Sequence, residues 1–93
     1  MRSTTIEERE LIARIVRNRD LSSLDLSGVN LIAADLVGFT FAYSNLSGAN
    51  LSSTDLSFTN FTAADLTGAD FRGAIGLTDE KRADLKNQGA IVD

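Results

Sequence analysis

Asp20 to Gly73, broken every fifth residue, reads DLSSL DLSGV NLIAA DLVGF TFAYS NLSGA NLSST DLSFT NFTAA DLTGA DFRG. The second place of every unit is Leu or Phe: Leu21, Leu26, Leu31, Leu36, Phe41, Leu46, Leu51, Leu56, Phe61, Leu66 and Phe71. The first place is Asp or Asn in every unit but one, which has Thr40. An α-helix turns about 100° per residue, so Leu at every fifth place would spiral round it and form no stripe. In a flat strand an odd spacing sends successive Leu to opposite faces. One side can collect them all only if the chain bends once per unit. Right-angled bends close a coil in about four units, so residues twenty apart should stack.

The sequence carries that stacking. Gly28, Gly48 and Gly68 share a column, Ser27, Ser47 and Thr67 run beside it, Phe41 and Phe61 stand above Leu21, and Asp35 pairs with Asp55. Two places before each Leu or Phe stands a second inward residue, mostly small, as a narrow tube requires. Leu24 and Phe39 are the large exceptions and predict locally wider coils or, for Leu24, contact with an end cap.

Units such as Ala49-Asn50-Leu51-Ser52-Ser53, Ala64-Asp65-Leu66-Thr67-Gly68 and Ala69-Asp70-Phe71-Arg72-Gly73 resemble those of the pentapeptide repeat family over about residues 19–75. The resemblance implies an all-β solenoid, a right-handed quadrilateral β-helix of a little under three coils. The central Leu or Phe and the preceding small residue point inward, and the other three places outward. The ending Gln88-Gly89-Ala90-Ile91-Val92-Asp93 is similar to tails of cyanobacterial members.

The 93 residues divide into an expected N-terminal capping helix at 1–18, repeats at 19–75 and a C-terminal helix with tail at 76–93, in a single domain. Open coil ends expose unpaired backbone, so caps are physically required. Thr4 and Thr5 each stand three residues before a Glu, a capping box, and Leu11, Ile12, Ile15 and Val16 form one stripe of the helix begun there. At the other end Thr78 reads as an N-cap, Asp79 and Glu80 as an acidic first turn, and Gly89 as the stop.

There is no Cys and no His, which removes disulfides, thiolate chemistry and the usual zinc, copper and haem ligands. Calcium-binding β-rolls need a nine-residue Gly-rich period, which is lacking. The Asp and Asn of the first place recur in almost every unit, as turn-bonding side chains do, so they suggest no catalytic or metal site. The expectation is a protein without catalytic residues, metal or cofactors. No apolar stretch approaches a membrane span and no leader stands at the N-terminus, so a cytoplasmic location without membrane contact is expected. The net charge of −4 comes from the repeats, which disfavours direct binding of nucleic acid.

Four apolar residues occupy outward places: Ile32, Val37, Tyr43 and Phe58. They are the candidate interface, with Phe58 expected above Gly38. The functional expectation is a non-enzymatic protein–protein interaction or scaffold module, binding an unknown protein or itself. The alternative, drawn from the quinolone-resistance branch of the family it resembles, is a DNA mimic that modulates a type II topoisomerase (gyrase).

Overall fold

The computed structural model describes residues 18–93. The expected N-terminal capping helix, from about Thr4 to Arg17, lies outside the described residues. From Asn18 onward the chain winds into a stack of coils with a repeat of twenty. Parallel bridges link Asp20, Thr40 and Asn60 along a first side, and Asp25, Asn45 and Asp65 along a second. Asn30, Asn50, Asp70 and Ile91 form the third, and Asp35, Asp55 and Ile75 the fourth. The five-residue period has therefore been converted into a four-sided column.

Two hydrogen bonds at each bridge, and a third from the following corner such as Ser23 N–H to the Ala42 carbonyl at 2.9 Å, join each coil to the next. The bridging residue donates downward, as Thr40 N–H does to the Arg19 carbonyl at 3.1 Å, and its successor donates upward, as Leu21 N–H does to the Thr40 carbonyl at 2.8 Å. Between sides the chain turns a corner, usually closed by an i+3 to i bond such as Val29 N–H to the Leu26 carbonyl at 3.1 Å. The third residue of all eleven turns has φ between 56° and 76°, while the second does not have positive φ. This is the type II turn. Five turns use Gly there; the others carry Ser23, Ala33, Tyr43, Ser53, Phe58 and Ala63.

Ten of the eleven Leu and Phe of the second place are buried. Leu31 is the exception, packed against the core but partly exposed. It belongs to the first coil, which among the described residues has a neighbouring coil on one side only. The Phe41 and Phe61 rings stack at 5.3 Å and 5°, as their column predicts, and Phe61 meets Phe71 edge-on at 5.3 Å. Phe39 is buried and stacks on Phe41 at 6.2 Å. Leu24 is buried where the corner is opened: the Ser44 hydroxyl accepts from Leu24 N–H and donates to the Leu21 carbonyl. Thr54 and Thr59 are buried too, their hydroxyls donating to the Leu51 and Leu36 carbonyls at 2.7 and 2.8 Å. No buried side-chain polar atom among the described residues lacks a partner.

After Ile75 the helix α1 (Asp79–Asn87) takes the place of two sides of the coil. Thr78 caps it by accepting from Lys81 N–H, and Asp79 and Glu80 fill its first turn. Leu85 is wholly buried under it, while Ala83 is exposed. The Gln88 side-chain amide donates to the Phe61 and Ala64 carbonyls at 3.0 and 3.2 Å. The tail then returns as a rung: Gly68 N–H reaches Gly89, and Phe71 N–H reaches Ile91. Among the described residues no helix is long and apolar enough to cross a membrane.

Candidate interaction surface

In all eleven units the first-place side chain performs one task. Its oxygen accepts the backbone N–H of the residue two places on, at 2.9 to 3.2 Å, from Ser22 onto Asp20 to Arg72 onto Asp70. These are Asx turns, with Thr40 substituting its hydroxyl. The outward hydroxyls of Ser22, Ser27, Ser52, Ser57 and Thr62 donate to the same oxygens. The Asp and Asn of the repeats are thus held at the corners. The Asp70 carboxyl is drawn down to about 2, first by the Arg72 guanidinium and then by Arg72 N–H. The Asp65 carboxyl is lowered by the N–H and hydroxyl of Thr67. Among the described residues no group of acidic side chains could hold a metal ion.

The carboxylates are dispersed. Asp20 is on the first side, Asp25 and Asp65 on the second, Asp70 on the third, and Asp35 and Asp55 on the fourth.

The four apolar candidates occupy three corners. Ile32 is exposed at the corner between third and fourth sides, and Tyr43 is 66% exposed at the one between first and second. Phe58 is 90% exposed at the corner between fourth and first. Val37 shares that last corner but is half-buried, so it offers less surface than its outward place implied. Phe58 does stand in the column of Gly38, whose N–H donates to the Ser57 carbonyl at 3.0 Å. Its ring does not shelter Gly38, however: the atom nearest to where a Gly38 Cβ would stand is Arg19 Nη1, at 3.8 Å.

Ile75 and Ile91 are also exposed, at 61% and 45%. Ile75 could have been found by extending the Asp35 and Asp55 column one coil upward. Ile91 could not, because its bridge to Asp70 spans twenty-one residues and comes after a helix. Two clefts meet at Lys81. One of about 550 Å³ adjoins Phe58, Leu56, Thr59 and Gly76, and one of about 360 Å³ adjoins Phe61, Leu85 and Gln88.

Comparison with known proteins agrees with this architecture. No curated protein matches the sequence. Among solved structures, QnrB1, a plasmid-mediated fluoroquinolone resistance protein, is similar at 26% identity and a TM-score of 0.52, over 80% of this chain. This chain spans only 37% of QnrB1. A pentapeptide repeat protein from Nostoc Pcc 7120 is 26% identical with a TM-score of 0.39, over 100% of both chains. One from the Arabidopsis thaliana thylakoid lumen is 27% identical with a TM-score of 0.38, over 75% of this chain and 66% of its own. The family model described as pentapeptide repeats (8 copies) matches residues 25–57 and 44–75, more than half of the sequence. The repeat solenoid and this match together establish that the chain belongs to the pentapeptide repeat family.

Proposed function

We propose that this chain is a non-enzymatic interaction or scaffold module, a right-handed four-sided β-helix that presents its corners to a partner protein. The observation that carries the reading is the contrast between its polar and apolar outward residues. The first-place side chains are engaged in their own turns, whereas Phe58 stands 90% exposed on a backbone held by coil-to-coil hydrogen bonds. A backbone held in this way loses little freedom on docking, and aromatic side chains dominate binding energy at interfaces.

The test is site-specific photo-cross-linking in a lysate of the source organism, from one outward position per side, Ser22, Ser27, Ser52 and Ser57. A discrete adduct from one side supports the reading. Failure at every side, with Phe58 itself as a fifth position, refutes it.

A DNA-mimic role is the second reading, favoured by the likeness to QnrB1. Two features weigh against it. Stacked coils about 4.8 Å apart give a column on the order of 13 Å, about four base pairs at ~3.4 Å each. The six repeat carboxylates are also dispersed over all four sides. We therefore expect no inhibition of gyrase supercoiling by micromolar protein. Potent inhibition that weakens with salt would reverse the order of the two readings.

A further inference from the structure

We propose that the corner ridge from Arg19 through Phe58 to Lys81 docks an acidic segment of a partner protein, which brings an apolar side chain to the cleft beside Phe58; this rests on the interaction reading above.

The first observation is backbone strain spent on a solvent-exposed ring. Phe58 has φ 62° at a turn position where five sister corners use Gly and the other five carry Ser23, Ala33, Tyr43, Ser53 and Ala63. The left-handed region is unfavourable for any residue with a Cβ, and a bulky residue there is an outlier. Since Phe58 is 90% exposed, packing within the chain does not account for it. The fold imposes the corner but not the ring, since Ser53 and Ala63 serve at the same place, so the exposed ring points to a role outside its own fold.

The second observation is the charge around it. Arg19 places Nη1 3.8 Å from a Cβ position on Gly38, one coil below Phe58 at the same corner. Lys81 lines the same cleft as Phe58, above it. Neither side chain has an ion-pair partner among the described residues, whose ion pairs are Arg72 with Asp70 and Arg82 with Asp93. Two cations therefore bracket an exposed ring on a protein of net charge −4. With the guanidinium one coil below Phe58 and Lys81 about one coil spacing above it, a segment would need to span ~10 Å, or about three residues of extended chain. A segment with two carboxylates three residues apart and one apolar side chain between them complements this ridge. The cleft of about 550 Å³ between Phe58 and Gly76 has room for that side chain.

Other occupants fit less well. A second copy paired about a two-fold axis would bring the same cations to the same corner. A nucleic acid carries a charge at every phosphate and would also meet Asp35 and Asp55 on the adjoining side, whereas the proposed segment places carboxylates only at Arg19 and Lys81.

The experiment uses the full chain and a fluorescein-labelled Gly-Glu-Leu-Gly-Glu-Gly peptide, read by anisotropy. Comparison probes are the same peptide with Lys for Glu, the same with Ser for Leu, and a single-stranded oligonucleotide. The Glu peptide should bind and weaken with added salt. Replacing its Leu by Ser should weaken it further. Phe58→Gly should keep or raise the thermal midpoint, since sister corners carry Gly, yet lower affinity about tenfold. Lys81→Glu and Arg19→Glu should each shift preference toward the Lys peptide. The proposal is overturned if the Lys peptide or the oligonucleotide binds as well as the Glu peptide, or if Phe58→Gly binds undiminished. It also falls if the wild-type chain forms a dimer that Phe58→Gly dissolves. Failure of the Glu peptide together with a cross-linked partner at another side ends the ridge and leaves the interaction reading standing. Failure of both ends both.

Discussion

Eleven left-handed corners are supported by only five glycines, so corner geometry is imposed by coil-to-coil hydrogen bonds more than by residue type. That is why one bend per unit was legible in the sequence but its left-handed φ was not: Gly28, Gly48 and Gly68 align, but Ser53 or Ala63 gives no sign of positive φ. The cost can be separated from crowding at two positions. A Cβ on Gly28 meets nothing within 4 Å, so Gly28→Ala should lose only the left-handed penalty, about 1–2 kcal/mol. A Cβ on Gly76 falls 2.6 Å from Ser57 N and 3.0 Å from its Cα, backbone that must move. Gly76→Ala should therefore lose about 1–3 kcal/mol more, and equal midpoints in urea would contradict the packing described. Among the carboxylates, Asp70 gives a pH prediction. Its folded value of about 2 lies below the ordinary 3.8, so its contribution to stability is present above the unfolded value and is lost as pH falls from 3.8 toward 2. In Arg72→Ala the carboxyl should titrate closer to 3.8 by NMR, still lowered by the residue-72 N–H. An unchanged titration would remove the guanidinium as the main cause.

A single coil cannot bury its own apolar ring, so the coil is stable only through its neighbours, as repeat proteins generally are. Leu46 is wholly buried in the middle of the column, with Leu26 and Leu66 in the same column below and above. Leu46→Ala should cost about 2–5 kcal/mol because neither neighbour can move in to fill the space. Ser47→Ala, one residue outward, should stay within about 0.5 kcal/mol. Equal unfolding midpoints would refute the inward assignment. The inward residue before each pair was legible as mostly small, and Leu24 as a misfit among them. The device that accommodates Leu24 was not legible, because it is the hydroxyl of Ser44, twenty residues away, standing between the two ends of the Leu21–Leu24 turn. Periodicity reports which residues share a column, but not which of them reaches into its neighbour's hydrogen bond.

At the scale of the molecule, the four sides do not end at the same height. The first stops at Asn60 and the second at Asp65, whereas the fourth continues to Ile75 and the third to Ile91. The sequence announced a helix from the Thr78 cap onward, but a broken period could not say that the chain would come back and resume pairing after it. The C-terminal segment closes the column in three ways. Leu85 plugs the axis. Gln88 satisfies two carbonyls of the last coil, and the tail pairs with Gly68 and Phe71. The Asp93 carboxylate adds a bond to Gly73 N–H at 3.0 Å and lies 3.6 Å from Arg82. Ending the chain after Gly76 would remove all three at once, exposing the Phe61 and Phe71 rings beside unpaired N–H and C=O groups, which is an edge ready to pair with another copy. The truncated protein should therefore associate or fail to fold, as read by light scattering and circular dichroism. Leu85→Ala distinguishes the plug from the rung. It leaves the tail's hydrogen bonds in place, so it should lose about 2–5 kcal/mol while remaining monomeric. If the truncated chain instead stays monomeric with an unchanged midpoint, the segment caps nothing, and the stability of the column resides in the repeats alone.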